Sequence, residues 1–253
     1  MANYLEINKK IYEIKGRIFV ISDIHSCFYA FKKLLNKINF NQDDFIIING
    51  DLIDRGGPNN INLIKFISSF KNICLLRGNH EEFYLRADSR ELSYSQWHSW
   101  GGNNTILELK KASIEDKLLF HNYIVKTNLF AIAKIENKDF FISHNGFNLD
   151  MNIIKKNNIL LNEETILSQY NENWFNFFVS SDINYIPSTT FKYHWIVGHH
   201  PTLRINQKAE IYKRPFYTNI DCGATYEKGR LGILCLNDFS EYYEEINKKD
   251  LRS

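Results

Sequence analysis

The sequence predicts an α/β protein organised on a parallel sheet, and one pattern seen three times carries that prediction. Apolar runs at Ile18 to Ile21, Phe45 to Ile48 and Ile73 to Leu76 each end in a polar loop, and each loop precedes a segment with helical spacing. Consecutive strand–loop–helix units wind a parallel sheet, so their loops must meet on one side. Those loops carry Asp23-Ile24-His25, Gly50-Asp51-Leu52-Ile53-Asp54-Arg55-Gly56 and Arg77-Gly78-Asn79-His80-Glu81. Turn chemistry alone explains an Asp or Gly at one strand end. It does not explain the same cargo at three.

Taken in order, residues 1–16 read as a short leading strand or arm, with Lys15-Gly16 as a turn. The first helix is expected over about Tyr29 to Ile38, where Phe31, Leu34, Leu35 and Ile38 share a face. The second runs from about Asn60 to Phe70, with Asn59 placed to cap it. After Glu81 to Arg86, again helical, the region from Asp88 to Val125 becomes aromatic and Gly-rich at Trp97 to Gly102 and helical at Ile106 to Lys111. It reads as a helical insert beside the sheet, either the wall of a substrate groove or a peripheral core patch.

Strands follow at about Leu129 to Ile135 and Phe140 to Ser143, joined by a hairpin at Glu136 to Asp139, and the second ends in His144-Asn145-Gly146. Phe147 to Tyr193 is polar and partly helical, notably at Trp174 to Val179, and reads as a second wall. Trp195 to Val197 ends in Gly198-His199-His200-Pro201. Strands at about Phe216 to Ile220 and Leu231 to Leu236 are expected to complete a second sheet.

At 253 residues the chain is within the range of one α/β domain, here with helical inserts at about 82–128 and 147–193. A formal charge of +2 predicts no dominant nucleic-acid footprint, so no nucleic-acid partner is required. Cys27, Cys74, Cys222 and Cys235 are scattered without a Cys-x-x-Cys pair and read as reduced, buried thiols. Charges at Glu6, Lys9, Lys10 and Glu13 make the start neither a secretory signal nor a membrane span. The expectation is a cytoplasmic monomer that needs no membrane.

Five strand ends therefore present polar side chains: Asp23 and His25; Asp51, Asp54 and Arg55; Arg77, Asn79 and His80; His144; and His199. Four of the eight histidines end apolar runs beside Gly, Asp or Asn, which one structural histidine at a time does not explain. Oxygen and imidazole groups on neighbouring strand ends suit a pair of divalent first-row cations, and one Asp carboxylate can bridge them.

Asp23-x-His25, Gly50-Asp51-x-x-Asp54-Arg55-Gly56, Gly78-Asn79-His80-Glu81, His144 at a strand end and Gly198-His199 recur in the order of the metal-dependent serine/threonine phosphoprotein phosphatases. The chain resembles this family of the calcineurin-like superfamily, in its short bacterial and bacteriophage form such as lambda phosphatase. The resemblance implies a metallophosphoesterase four-layer sandwich, two mixed β-sheets flanked by helices. It implies two divalent metal ions, Mn²⁺ as the usual one with Fe or Zn as alternatives. Asp23, His25 and Asp51 would hold the first; Asp51, Asn79, His144 and His199 would hold the second. Such a pair activates a bridging water and clamps a phosphoryl group.

The same resemblance makes His80 the general acid, oriented by Asp54, and gives Arg55 and Arg77 the phosphate, since a guanidinium fork suits its oxygens. Glu81 reads as a structural carboxylate that satisfies the loop. The implied substrate is a phosphoprotein bearing phosphoserine or phosphothreonine. A symmetrical diadenosine tetraphosphate hydrolase shares the strand-end motifs and is the alternative; His200 after His199, where that branch usually has an aromatic residue, weighs against it. A binding scaffold that has lost catalysis is the third reading, opposed by the filled ligand positions.

Two departures stand out. Ser26 occupies a position usually held by Gly, tolerable if the loop needs no positive φ there. Asn176 stands two residues after Trp174, where relatives of this size carry a third phosphate-binding arginine, leaving Arg204, Arg214 or a lysine to substitute.

Overall fold

The structure is a computed structural model that describes residues 3–145, 163–179 and 193–251. Its two sheets follow from how apolar side chains alternate along the strands. In β3 (Ile18–Ile21) and β4 (Phe45–Asn49) every residue is buried, as expected for parallel strands covered on both faces. Ile18, Val20, Phe45 and Ile47 face one core, while Phe19, Ile21, Ile46 and Ile48 face another. With β5 (Ile73–Leu76), these strands form parallel ladders in the order β3-β4-β5.

The second core holds the helices. Phe31, Leu34 and Leu35 of helix Phe28–Lys37 and Leu63, Ile64 and Ile67 of helix Asn60–Ser68 pack with Phe19 and Ile46. The first core is shared with the other sheet, whose strands are β1 (Asn3–Ile7), β2 (Lys10–Ile14), β6 (Phe130–Ile135), β7 (Lys138–Ser143), β8 (His194–Val197), β9 (Tyr212–Lys213) and β10 (Tyr217–Asn219). Ala131, Ala133, Phe140, Ile142 and Ile196 meet Val20 and Ile47 there. On the far face of that sheet, Ile132, Phe141 and Trp195 pack against Phe177 and Phe178 of helix Trp174–Val179. Helix, sheet, sheet, helix is the layer order, and both sheets mix parallel with antiparallel pairs.

Two expectations about the strands change. The leading strand or arm is two strands, a hairpin of β1 with β2, and β1 also pairs with β6. Strand β11 (Arg230–Cys235) leaves β10 and pairs antiparallel with β3, placing Ile233 opposite Ile21. It therefore completes the first sheet, in the order β12-β11-β3-β4-β5, where β12 is Glu241–Glu245. The run Glu-Tyr-Tyr-Glu-Glu of β12 is half-buried without alternation, so no strand period marks it.

Helix Asn60–Ser68 is not capped by the Asn59 side chain. The Glu108 carboxylate, from the helical insert, accepts from the backbone N–H of Asn60 at 2.9 Å and of Ile61 at 3.0 Å. An anion at a helix N-terminus does the same work as a cap from a distant part of the chain. The insert holds helices Tyr94–Trp97, Asn103–Lys111 and Ile114–Val125, the first two joined through His98–Gly102 across a kink at Gly101. Of the second insert, helices Glu163–Glu172 and Trp174–Val179 are seen. The rest of 147–193, and Gly146, lies outside the described residues, apart from Tyr193. All four cysteines are free.

Candidate active site and metal centre

Parallel register sets β3, β4 and β5 side by side, so the loops after Ile21, Asn49 and Leu76 leave the same edge. The opposite sheet delivers His144 from the end of β7 and His199 from beyond β8, which are parallel neighbours. Asn49 joins the two edges. Its amide donates to the Ser143 carbonyl at 2.9 Å, and its own carbonyl accepts from Nδ1 of His144 at 2.8 Å. Gly50 follows with φ of 78°, and a Cβ there would lie 2.6 Å from that Nδ1.

The loops are held in an uncommon backbone region. Asp23, His25, Ser26, Asp51, Asp54, Arg55 and His199 all have φ between 46° and 71°. Each such non-glycine residue costs on the order of 1–2 kcal/mol, and hydrogen bonds across the loops offset it. The N–H of His25 donates to the Asp51 carbonyl at 3.0 Å, and that of Ser26 to Leu52 at 2.8 Å. Ser26, with φ of 61°, corrects the expectation for this position: the loop does require the left-handed conformation. The Ser26 hydroxyl donates to Oδ1 of Asn60, a compensation glycine would lack.

Glu81 behaves as a loop carboxylate. Buried, it accepts from the backbone N–H of Asp51 at 2.8 Å, Leu52 at 2.9 Å and Gly78 at 2.8 Å. It thereby ties the second loop to the third. Burial, with Asp51 beside it, pushes its carboxyl up to about 7.

The ring nitrogens show what the centre is built to hold. His25 donates Nδ1–H to the Ile53 carbonyl at 3.0 Å, which leaves Nε2 a lone pair. That Nε2 is buried without a hydrogen-bond partner, 3.9 Å from Oδ1 of Asp23 and 3.8 Å from Oδ2 of Asp51. His144 is anchored the same way through Nδ1, and its Nε2 faces Oδ1 of Asn79 at 3.0 Å and Oδ1 of Asp51 at 3.3 Å. His199 brings Nδ1 to 2.7 Å from the same Asn79 oxygen. Acceptors converging on acceptors in a dry site need a positive charge between them. Two clusters of such atoms, His25–Asp51–His80 and Asp51–His144–His199, share Asp51.

The titration behaviour agrees. Burial alone would raise the Asp51 carboxyl, yet the imidazoles of His144, His80 and His25 hold it well below the usual range. Burial also works against a charged His144, but the Asp51 and Asp23 carboxylates raise it to about 10. A proton on His144 does there what a cation would do. Asp23 is pushed by burial up to about 6, opposed by His144 and reinforced by Asp51. The donor set, oxygens and imidazoles around a shared carboxylate, fits a pair of divalent cations.

His80 is distinct. Its Nδ1 meets Oδ2 of Asp54 at 2.7 Å, and both side chains are fully buried. Its Nε2 has no hydrogen-bond partner and lies 3.9 Å from Oδ2 of Asp51, as near that carboxylate as His25 is. Asp54 in turn accepts from the Trp97 indole N–H at 2.8 Å and from the Thr105 hydroxyl. Both carboxylate oxygens of Asp54 are thereby engaged, which fixes its orientation toward His80. Trp97 is thus core, not groove wall, and it braces the centre.

The two arginines part company. Arg55 is exposed and its guanidinium makes no hydrogen bond or ion pair among the described residues; its backbone N–H donates to the Gly101 carbonyl at 3.0 Å. Arg77 is engaged, donating to the Thr127 hydroxyl at 3.0 Å, the Thr127 carbonyl at 3.2 Å and the buried Glu82 at 3.2 Å. Glu82 also accepts from Arg86 at 2.7 Å and Tyr170 at 3.0 Å, so Arg77 belongs to a network that fastens helix Glu163–Glu172 to helix Asn79–Asp88. Asn176 is exposed; Arg204 and Arg214 lie over the rings of Tyr226 and Tyr212.

A profile of calcineurin-like phosphoesterases matches residues 16–218. The chain belongs to the calcineurin-like phosphoesterase family. Divalent metal ions follow from that membership, and the clusters around Asp51 are where this phosphoesterase can hold them. Among curated proteins it is similar to "Bis(5'-nucleosyl)-tetraphosphatase, symmetrical" of Buchnera aphidicola subsp. Schizaphis graminum, 46% identical over 66 residues, which is 25% of this chain and 24% of that protein. The protein of the same name from Proteus mirabilis is 26% identical over 152 residues, 59% of this chain and 52% of the other. The phosphoesterase thus matches between a quarter and about half of those two relatives' length.

Its fold is shared with a candidate diadenosine tetraphosphatase (TM-score 0.58, 15% identity, covering 91% and 93% of the two chains). It is shared also with a cold-active protein-tyrosine phosphatase from a psychrophilic Shewanella (TM-score 0.54, 16% identity, 93% and 86%). At such identity these similarities concern the fold alone. No helix among the described residues is long and apolar enough to cross a membrane.

Several site-shaping residues escaped sequence reasoning. Trp97 and Thr105 lie 43 and 51 residues from Asp54, in the insert. Glu82 is one position past the motif. Asp221 reads as a turn residue, yet it is buried, and burial together with Asp23 raises its carboxyl well above the usual range. A carboxylate directly after the apolar β10 region was the available signal. Cys27 is inert: burial, then Asp250, push its thiol up.

Proposed function

We propose that this phosphoesterase hydrolyses dinucleoside polyphosphates of the diadenosine tetraphosphate type, cleaving symmetrically to two nucleoside diphosphates. The observation that carries this reading is that the curated relatives, from Buchnera, Wigglesworthia and Proteus, are named for that activity. Asp23, His25 and Asp51 would hold one divalent cation, and Asp51, Asn79, His144 and His199 the other, Mn²⁺ being the first ion to test. When bound, such a pair polarises the phosphoryl oxygens and lowers the pKa of a bound water.

The chain's own groups do the rest. Arg55, exposed and unpaired among the described residues, presents its fork to a phosphoryl oxygen. Arg77 keeps the third loop in place through Thr127 and Glu82, which leaves the open guanidinium fork to Arg55. His80 holds its ring by Nδ1 on Asp54 and aims Nε2 into the centre, where it hands a proton to the departing oxygen. A nucleoside diphosphate leaves readily as an anion and needs that proton little.

The second reading, phosphoserine and phosphothreonine hydrolysis, is favoured by that same dyad. A serine alkoxide is a poor leaving group, and a buried acid locked by Asp54, Trp97 and Thr105 is what its departure needs. Hydrolysis of diadenosine tetraphosphate is compared with that of a phosphoserine peptide, with Mn²⁺ and after chelation, resolving products by chromatography. Two molecules of ADP, abolished by chelation, support the first reading. ATP with AMP, or peptide turnover exceeding dinucleotide turnover, overturns it.

A further inference from the structure

We propose that Trp100 and Phe175 form a stacking surface for the purine base of a nucleotide whose phosphates reach the metal centre and Arg55; this deepens the dinucleotide reading and rests on it. Nothing in the family membership assigns either residue.

The surface begins at the catalytic ring. His80 meets Phe83 edge-on at 5.4 Å between ring centroids, Phe83 meets Trp100 at 4.6 Å, and Trp100 meets Phe175 at 5.7 Å. Burial falls along this series. His80 and Phe83 are core, Trp100 is half-buried and Phe175 is 39% exposed. The aromatic path thus climbs from the buried acid to solvent.

The turn that carries Trp100 is placed by the site itself. Gly101 takes φ of 107°, and a Cβ there would lie 2.8 Å from Cγ of Arg55 and 3.6 Å from Cε1 of His80. The Gly101 carbonyl also accepts from the Arg55 N–H. The residue that follows Trp100 thus sits against the ring of His80 and the aliphatic stem of Arg55. The neighbour of Phe175, Trp174, is itself braced, with the Arg86 guanidinium 5.0 Å from its ring and Phe83 meeting it edge-on at 6.4 Å. Arg86 is itself fixed on Glu82. Rigid aromatic groups lose little entropy on binding.

The order of chemistry selects the occupant. The candidate metal ligands lie deepest, the exposed Arg55 fork beside them, and flat apolar faces outermost. A nucleotide has the same order from phosphate to base, and bases stack on aromatic side chains whatever their identity. A phosphorylated peptide offers no obligatory flat group beside its phosphate. Stacking, rather than edge hydrogen bonds, predicts tolerance of guanine for adenine.

The test measures inhibition constants of ADP and of inorganic pyrophosphate against 4-nitrophenyl phosphate hydrolysis at fixed free Mn²⁺, in the wild type, Phe175→Ser, Trp100→Leu and Phe175→Trp. The expected result is that ADP inhibits the wild type about tenfold more tightly than pyrophosphate. Phe175→Ser and Trp100→Leu should collapse that ratio toward one, and Phe175→Trp should keep it. A folding defect moves both constants together and leaves the ratio, so an unchanged ratio overturns the proposal. So does a wild-type ratio near one. If the wild type fails to cleave diadenosine tetraphosphate yet prefers ADP, the function falls and the base site stands. If it cleaves the dinucleotide with the ratio unchanged in the variants, the site falls and the function stands.

Discussion

The floor of the site and its rim are built by opposite rules. On the floor, Asp51, Asp54, Asn79, His80 and His144 are at most 2% exposed, and Asp51 and Asp54 hold left-handed backbone in a loop that surrounding hydrogen bonds enforce. On the rim, Arg55 and Phe175 are exposed, and Asn176 stands where the resemblance leads one to expect arginine. The difference separates chemistry from selectivity. A reacting constellation must be over-determined because strain persists only where structure enforces it, whereas a rim side chain can change without unfolding anything.

The contrast is broken most directly at its deepest point. Asp51→Ala removes the carboxylate shared by both cation clusters. Bound metal should fall from two ions per chain to one or none by elemental analysis, and kcat/KM should fall on the order of 1,000-fold, beyond the ~10–100-fold typical of outer-shell partners. Two ions retained would remove Asp51 from the centre.

His80→Asn should lower kcat on a phosphoserine peptide by roughly 10²–10⁴-fold and on diadenosine tetraphosphate far less, because the leaving groups differ. Equal losses on both substrates would end its role as proton donor. Next comes the brace from the insert. Trp97→Phe keeps the ring but deletes the N–H that Asp54 accepts, and by analogy with other supporting hydrogen bonds kcat should drop about 10–100-fold. The drop should be larger on the phosphopeptide. A uniform loss on both substrates would mark Trp97 as packing only.

The two arginines compare rim with floor inside one motif set. Arg55→Ala should raise KM about tenfold, the loss of one charge-assisted contact, with the denaturation midpoint unchanged. Arg77→Ala should instead cost about 1–3 kcal/mol of stability by unpairing part of buried Glu82. Chemical denaturation alongside kinetics reads both, and the reverse pattern would exchange their roles. The smallest effect is expected at Ser26→Gly. Relief of the left-handed strain, ~1–2 kcal/mol, slightly exceeds the lost hydrogen bond to Asn60, about 1 kcal/mol. A net loss in denaturation would show that the hydrogen bond dominates.

Much of the floor was legible because each of its groups follows an apolar run within a few residues. Asp23, Asp51 and Asn79 need only local pattern and parallel winding to approach one another: Asp23 and Asp51 both face Nε2 of His25, and Asn79 and Asp51 both face Nε2 of His144. Arg55 and Arg77 looked equivalent in sequence. They differ because Thr127, Glu82 and Tyr170 happen to surround only one of them. Trp97 offered two readings of similar weight, and the choice was made by Asp54, 43 positions away.

Taken alone, the order of residues determined the layers of the first three βα units, the identity of the strand-end groups and the capacity to hold cations. Periodicity and strand-end position are local properties, so one chain displays them without folding. Tertiary structure decided that β11 joins β3 across more than 200 residues, that Glu108 caps a helix in place of Asn59, and which arginine is left open. Each of these outcomes depends on which partner fills a given space, and partners distant in sequence leave no period for the eye to find.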